Sequence, residues 1–194
     1  MKAGSMPPKR SHRRADATEV SIYIGEVYAT RLPTVVKTLL GSCVAVCLWD
    51  PQTRIGGMNH FMLPRSLRTV TDDPARFGVH AMDLLIGEML KAGAERSRLR
   101  AKCFGGAHVL DIAEEEDGVP SQNITFAIDF LKREGFRLIG EDLGGYAPRR
   151  VHFHTDTGRA FVQRISSPAA LNRLSESERR HTATKPTYGE VTLF

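Results

Sequence analysis

Short apolar segments of strand length account for most of the hydrophobic pattern between residues 18 and 168. The stretch Cys43–Trp49 is apolar at every position, which is typical of a strand covered on both faces. It is followed by the turn residues Asp50–Thr53 and then by Arg54–Leu63, so we predict a hairpin whose second strand returns beside the first. Further strands are indicated at Ile22–Tyr28, at Val35-Val36, at Leu99–Phe104, at Phe136–Asp142, and at Val151–Thr155 and Arg159–Ile165, the last two paired around Asp156-Thr157-Gly158.

Two segments carry the three- and four-residue spacing of an amphipathic helix. The first is Pro74–Leu90, with Gly93 placed to terminate it, and its apolar stripe comprises Val79, Met82, Leu85, Ile86, Met89 and Leu90. The second is Ser121–Glu134, with Ser121 as the N-cap, and its stripe comprises Ile124, Ala127, Ile128 and Leu131. Strands outnumber helices and do not alternate strictly with them. We therefore expect a mixed α/β (α+β) fold, a layered sandwich of mostly antiparallel strands with two main helices, rather than a Rossmann or TIM fold.

The net charge of +5 belongs to one end of the chain. Five of the 27 lysines and arginines lie in residues 1–14, which contain no acidic residue, and the other 22 balance the 22 acidic residues. The body of the protein therefore lacks the charge excess of a nucleic-acid-binding domain, and we expect no nucleic-acid partner. We predict a disordered basic tail over 1–17, one domain over 18–168, and a largely disordered tail over 169–194 with an apolar end, GEVTLF.

The expected cellular compartment follows from the absence of a membrane-helix pattern, a signal-peptide pattern and a disulfide framework in the sequence. The longest apolar run, Val44–Trp49, is far shorter than the roughly 20 residues of a membrane helix, and the N-terminus has no apolar signal-peptide region. Three cysteines are too few for a disulfide scaffold, and an odd number cannot all pair within the chain. We therefore expect a cytoplasmic protein with free thiols.

Cys43 is the candidate nucleophile because it follows Gly41-Ser42 at the start of the most apolar strand. Glycine lets the backbone bend sharply, and small residues beside a thiol let peptide N–H groups face a developing oxyanion. The alternative is that the thiol packs as a small hydrophobic group, the commoner role of a free cysteine.

A nucleophilic cysteine needs a base, and His60 is the histidine that the predicted hairpin brings to it. Pairing Trp49 with Arg54 would place Cys43 beside His60, where an imidazole favours the thiolate. Thr38 precedes Cys43 by five residues, and its hydroxyl could hydrogen-bond an imidazole nitrogen. On residue types alone that third position stays open.

A metal site is the weaker interpretation of the same residues. Cys43 and Cys47 would share a strand face, as would His152 and His154, and Cys103 could join them, but no C-x-x-C spacing supports zinc. The glycine pairs at 105–106 and 144–145 fit neither a dinucleotide-binding nor a P-loop pattern, so we interpret them as bends.

Four segments together resemble the chemoreceptor glutamine deamidases of the CheD family. They are TLLGSCVAVCLWDPQTRIGGMNHFMLP, AMDLLIGEMLKAGA, KCFGGAHVL and the long segment from SQNITF to FVQRI, and the likeness runs in order over residues 20–166. The end GEVTLF is also similar to the ends of many family members. The GSC and NHF segments make the combination specific.

The resemblance implies hydrolysis of glutamine side chains to glutamate on methyl-accepting chemotaxis receptors, and a layered fold like that of cysteine-dependent toxin deamidases. It implies Cys43 as nucleophile, His60 as base and Thr38 as the third member, with Thr34 as the alternative position. It implies no metal and no cofactor. The implied partners are the receptors and, in some bacteria, a CheC-type phosphatase that competes for the same surface. Residues assigned to the oxyanion or substrate are Gly41, Ser42, Phe104, Gly105 and Gly106.

Two other functions remain compatible with the sequence. In the first, the protein is a non-catalytic chemotaxis adaptor that binds receptors or the phosphatase. In the second, the same thiol serves a cysteine protease or a transglutaminase, because water and amine acceptors differ only in their access to the site.

Overall fold

The computed structural model describes residues 18–63, 75–109 and 118–165, and in these it forms three layers. The predicted tails over 1–17 and 169–194, and residue 74 at the predicted start of the first helix, lie outside the described residues. The helices are α1 (Ala75–Lys91) and α2 (Val119–Arg133). The strands are β1 (Thr18–Ser21), β2 (Val27–Thr30), β3 (Thr34–Leu40), β4 (Val44–Asp50), β5 (Ile55–Asn59), β6 (Arg100–Gly105), β7 (Arg137–Leu143), β8 (Arg149–His154) and β9 (Arg159–Arg164).

The described strands make a five-stranded sheet in the order β2-β5-β4-β6-β7 and a four-stranded sheet in the order β1-β3-β8-β9. The pairs β1–β3 and β6–β7 are parallel and the other pairs are antiparallel. Both helices pack on one face of the five-stranded sheet, and the four-stranded sheet covers its other face. This confirms the predicted layered α+β sandwich with mostly antiparallel strands.

Strand β4 lies in the middle layer and is buried on both faces, as its continuous apolar run predicted. Val44, Val46 and Leu48 face the helices, while Ala45 and Cys47 face the four-stranded sheet. This alternation matters for the site, because odd-numbered positions at this end of β4 point into the space between the two sheets.

The predicted first strand, Ile22–Tyr28, is wrong: β1 ends at Ser21, β2 begins at Val27, and the two strands belong to different sheets. Gly25 adopts a φ of +88° in the turn between them, and its N–H donates to the carbonyl of His60. Only a residue without a β-carbon takes this left-handed conformation readily, so the glycine interrupts what the apolar spacing suggested was continuous.

The predicted hairpin forms, but its register is wrong by two residues. Asp50 pairs with Ile55, so the loop is Pro51–Arg54 rather than 50–53. Asp50 is held in the strand because its carboxylate is fully buried and accepts hydrogen bonds from the Arg98 guanidinium and from the N–H groups of Gln52 and Thr53. Arg54 closes the loop with a φ of +57°. A shift by two leaves every side chain on its predicted face.

The helices agree with prediction except at their ends. Ser121 is not the N-cap of α2, because Gly118 precedes the helix and Pro120, whose φ suits a first turn, lies in that turn. In α1 the central stripe Met82, Leu85, Ile86 and Met89 is buried. Val79 and Leu90 are 40% and 41% exposed, because the rotation of about 100° per residue places them at the edge of that stripe. No helix in the described segments is long and apolar enough to span a membrane.

Candidate active site

Thr38, Cys43 and His60 lie together between the two sheets, although they belong to three different segments. Thr38 is in β3 of the four-stranded sheet, Cys43 directly precedes β4, and His60 directly follows β5. Their exposed fractions are 5%, 1% and 4% respectively. The structure thus buries all three candidate residues between the same two sheets.

Cys43 and His60 occupy diagonal positions on two neighbouring antiparallel segments. An isolated bridge joins Val44 to Phe61, so Cys43 lies opposite Met62 and His60 lies opposite Ala45. The two residues are therefore diagonal neighbours and not side by side as the predicted register had them, but diagonal neighbours on one face are within reach of a side chain as long as histidine, at about 7–8 Å. The small side chain of Ala45 leaves space above the strand for the imidazole.

The hydrogen bonds of Thr38 favour a proton on Nδ1 of His60. The Thr38 hydroxyl has one proton, and it donates that proton to the carbonyl of Ile22 at 2.8 Å. The same Oγ1 lies 2.8 Å from Nδ1 of His60, and while its own proton goes to Ile22 it can only accept in that contact, with Nδ1 as the donor. A neutral imidazole with its proton on Nδ1 carries its lone pair on Nε2, the form that can accept a proton from a thiol.

Thr34, the alternative third residue, belongs to another network. It lies at the opposite end of β3, its hydroxyl donates to the carbonyl of Leu32, and its N–H donates to Oγ1 of Thr155. Thr38 is therefore the threonine that the structure brings to the imidazole.

Three donors hold the three consecutive carbonyls of the loop that carries the thiol. The carbonyl of Gly41 accepts from the N–H of Ala107 at 2.7 Å, and the carbonyl of Cys43 accepts from the N–H of Gly106 at 2.7 Å. The carbonyl of Ser42 accepts from Nδ2 of Asn123 at 2.8 Å. These contacts fix every peptide plane of the loop, which is the precondition for any backbone N–H to serve an oxyanion.

The Gly105-Gly106 pair explains how two loops approach so closely. Gly105 has a φ of +116°, and a β-carbon there would lie 2.1 Å from the carbonyl oxygen of Cys43. A β-carbon on Gly106 would overlap the side chain of Ile124 in α2. Phe104 pairs with Ala45 and packs in the same apolar cluster as Cys43. All five residues nominated for the oxyanion or substrate thus lie around the thiol.

Two residues near the thiol were missed by the sequence analysis. The sulfur of Met62 lies 3.7 Å from Cys43 Sγ and 3.7 Å from Ser42 Oγ. Asn123 is fully buried and bonds the carbonyl of Ser42. A signal for Asn123 existed, since it continues the four-residue spacing of the buried Ala127 and Leu131 and puts a polar group on an apolar stripe. Met62 carries no comparable signal.

The other two thiols are unlike Cys43 in position. Burial raises the pKa of Cys103 to about 12, and it raises the pKa of Cys47 well above the usual range for a thiol. Both residues lie inside paired strands. Thiols that stay protonated at neutral pH are poor nucleophiles.

The residues proposed for a metal site are not assembled into one. His152 and His154 alternate with the inward-facing Val151 and Phe153, so they lie on the outer face of the four-stranded sheet, away from Cys43 and Cys47. Within residues 18–63, 75–109 and 118–165, no group of three or more histidine, cysteine, aspartate or glutamate side chains is arranged to hold a metal ion.

Comparison with known proteins identifies the family. Residues 62–164 match the family model described as CheD chemotactic sensory transduction. The chain is 41% identical over 194 aligned residues to a probable chemoreceptor glutamine deamidase, CheD 1, of Shewanella oneidensis, covering 97% of this chain and 93% of that protein. It is 44% identical over 163 residues to the probable CheD of Stenotrophomonas maltophilia, covering 83% and 81%. It is 40% identical over 183 residues to the probable CheD of Sinorhizobium medicae, covering 93% and 98%. The resemblance noted in the sequence is thereby confirmed, and the chain belongs to the CheD family.

Proposed function

We propose that this protein is a chemoreceptor glutamine deamidase that uses Cys43 as nucleophile and His60 as general base. The observation that carries the proposal is the pair of hydrogen bonds from Ile22 through Thr38 to His60, which supports a proton on Nδ1 and leaves Nε2 as the ring nitrogen that can act as a base. The names of the relatives, probable chemoreceptor glutamine deamidases, supply the reaction and the substrate class.

The first half of the reaction forms a thioester. Nε2 of His60 takes the proton of the Cys43 thiol, and the sulfur attacks the carboxamide carbon of a receptor glutamine. The carboxamide oxygen becomes an oxyanion beside the backbone of Gly41–Cys43, whose carbonyls are all held from the other side. The tetrahedral intermediate collapses, the carbon–nitrogen bond breaks, and the imidazolium gives its proton to the departing ammonia.

The second half hydrolyses the thioester. Neutral His60 takes a proton from water, the resulting hydroxide attacks the thioester carbon, and the thiol leaves with the proton returned. The product is glutamate, and the enzyme is regenerated. Every proton passes through Nε2 of His60, so no metal or organic cofactor enters these steps.

The burial of the thiol supports a narrow substrate. Cys43 is 1% exposed and Met62, beside it, is only partly buried. A glutamine side chain, which is long and unbranched, can reach a recessed sulfur that a wider group cannot. We infer that the protein acts on the cytoplasmic part of the receptors, and that a CheC-type phosphatase competes with them where its host has one.

The test is mass spectrometry of a receptor cytoplasmic fragment after incubation with the protein. We expect a glutamine-to-glutamate conversion with the wild type and with Cys47→Ala, a buried-thiol control, and none with Cys43→Ala. Added hydroxylamine should divert the thioester to a glutamyl hydroxamate. Cys43→Ala that still deamidates would refute the mechanism. Binding of the fragment without any conversion would favour the adaptor, and cross-linking of an added amine would favour the transglutaminase.

A further inference from the structure

Asn123 joins the two segments that carry the candidate nucleophile and base. Its side chain is fully buried in α2. Oδ1 accepts from the N–H of Leu63 at 2.7 Å, and Nδ2 donates to the carbonyl of Ser42 at 2.8 Å. The orientation of the amide is unambiguous, because a backbone N–H can only donate and a backbone carbonyl can only accept.

We call the two hydrogen bonds of Asn123, to Leu63 and to Ser42, the clamp, and its position next to Cys43 and His60 links it to catalysis. Ser42 immediately precedes Cys43, and Leu63 follows His60 by three residues. The regular β4–β5 ladder does not extend to these segments, and an isolated bridge between Val44 and Phe61 is the pairing found there. Asn123 therefore fixes the spacing of the two strand ends just beyond the last bridge of the ladder.

The same bond also sets the direction of the Cys43 amide. The carbonyl of Ser42 and the N–H of Cys43 belong to one planar trans peptide, in which they point in opposite directions. Asn123 holds the carbonyl toward α2, on the helix face of the five-stranded sheet. The N–H of Cys43 is thus directed toward the other face, where the thiol lies.

We propose that Asn123 is a positioning residue for deamidation, which orients the Ser42–Cys43 peptide and holds Cys43 in place relative to His60. This inference rests on the proposed function for its chemistry. An apolar residue of similar shape, such as leucine, would continue the stripe of α2 and form neither bond. A buried amide at this position is therefore explained by its two backbone partners.

The test compares Asn123→Leu, which loses both bonds, with Asn123→Asp, which keeps an acceptor for Leu63 and loses the donor to Ser42. Thr155→Val is the matched control. Thr155 is fully buried and bonds backbone groups of Leu32 and Thr34, so its loss also costs stability. It lies near the far end of β3, about 20 Å of strand from Gly41.

Two readouts are measured below the melting temperature of each variant: the steady-state kcat and KM on a receptor fragment, and the pH profile of Cys43 alkylation by iodoacetamide, followed by peptide mass. We expect kcat to fall by about 10- to 100-fold in both Asn123 variants with KM changed less than about threefold, as for a small misplacement of reacting groups. Alkylation of Asn123→Leu should be slower at neutral pH and reach half of its maximal rate at higher pH. Thr155→Val should match the wild type in both.

The two proposals fail separately. Asn123→Leu with the kcat and alkylation profile of Thr155→Val would overturn the positioning role while the wild type still deamidates. If the wild type converts no receptor glutamine but its Cys43 alkylation depends on Asn123, the proposed function fails and the clamp on the thiol stands. If Asn123→Leu does not fold, Asn123→Asp decides the question alone, since a wild-type kcat in that variant would remove any role for the Ser42 bond.

Discussion

Replacing Thr38 by valine removes one hydroxyl and little volume, and it tests the relay on which the proposed chemistry depends. Two groups lose their partner: the N–H at Nδ1 of His60 and the carbonyl of Ile22, each 2.8 Å from Oγ1 in the native protein. Both lie in a site where Thr38 is 5% and His60 4% exposed. Water therefore has little access to replace the hydroxyl.

The size of the effect follows from the cost of an unsatisfied buried donor, about 1–3 kcal/mol. The imidazole can avoid that cost by moving its proton to Nε2, but it then presents an N–H to the thiol and cannot act as its base. The reactive tautomer, with its proton on Nδ1, is therefore less stable in the variant by about that amount. At about 1.4 kcal/mol per factor of ten, we expect kcat to fall by about 10- to 100-fold.

The assay is the steady-state release of ammonia from a receptor fragment, with chemical denaturation run in parallel to measure the free energy of unfolding. Thr38→Ser keeps the hydroxyl and should stay within a few-fold of the wild-type kcat. Thr34→Val removes the hydroxyl of a threonine in the same strand, 2% exposed, that bonds Leu32 instead. It should keep the wild-type kcat. A Thr38→Val protein with the kcat of Thr34→Val would refute the reasoning.

Three further outcomes are expected. In alkylation followed by peptide mass, Cys43 should react before Cys47, whose pKa burial raises, and equal labelling of the two in the native protein would contradict the assignment. Gly105→Ala should lower kcat at least tenfold and destabilise the fold by more than about 2 kcal/mol, because its β-carbon would meet the Cys43 carbonyl, whereas Gly87→Ala, open in α1, should stabilise by up to about 1 kcal/mol. Burial would raise the pKa of Asp50, but hydrogen bonds from Arg98 and backbone N–H groups outweigh it and hold the pKa well below its ordinary value. Stability from that carboxylate is therefore complete above about pH 5 and is lost as pH falls through the ordinary pKa toward the lowered one. Asp50→Asn should lose about 3 kcal/mol at pH 7 and progressively less in acid, and a pH-independent difference in denaturation would contradict this.

The sequence was sufficient to place Cys43 and His60 on one face, even with the wrong register. A strand alternates with a period of two, so an error of two residues in the hairpin keeps each side chain on its side of the sheet. The error arose at Asp50, which looks like a turn residue. Its carboxylate is bound by Arg98 and the N–H of Glu95, more than 40 residues along the chain, and no local pattern reveals such partners.

The partners of Thr38 and Asn123 could not be predicted from local sequence patterns. Thr38 belongs to the other sheet, so only the family resemblance and not the hairpin could assign it to His60. Asn123 lies 81 residues from Ser42, in a helix whose apolar spacing is satisfied without it. The sequence signals that a polar group interrupts the stripe, but the backbone groups that bind it become known only when the layers are stacked.

Burial alone does not distinguish the three cysteines, because Cys43, Cys47 and Cys103 are all at most 1% exposed. Their places in the ladder do. Cys47 is paired on both sides, with Met58 and Lys102, so the backbone around it is committed to the sheet. Cys43 lies one residue before the first paired position of β4, where the chain turns. The carbonyls of this turn accept hydrogen bonds from a neighbouring loop and from Asn123 of α2, and not from a strand. A strand end held in this way combines a buried thiol with a backbone that is fixed by hydrogen bonds from outside the sheet. That combination, rather than the cysteine itself, is what supports the proposal of Cys43 as the nucleophile.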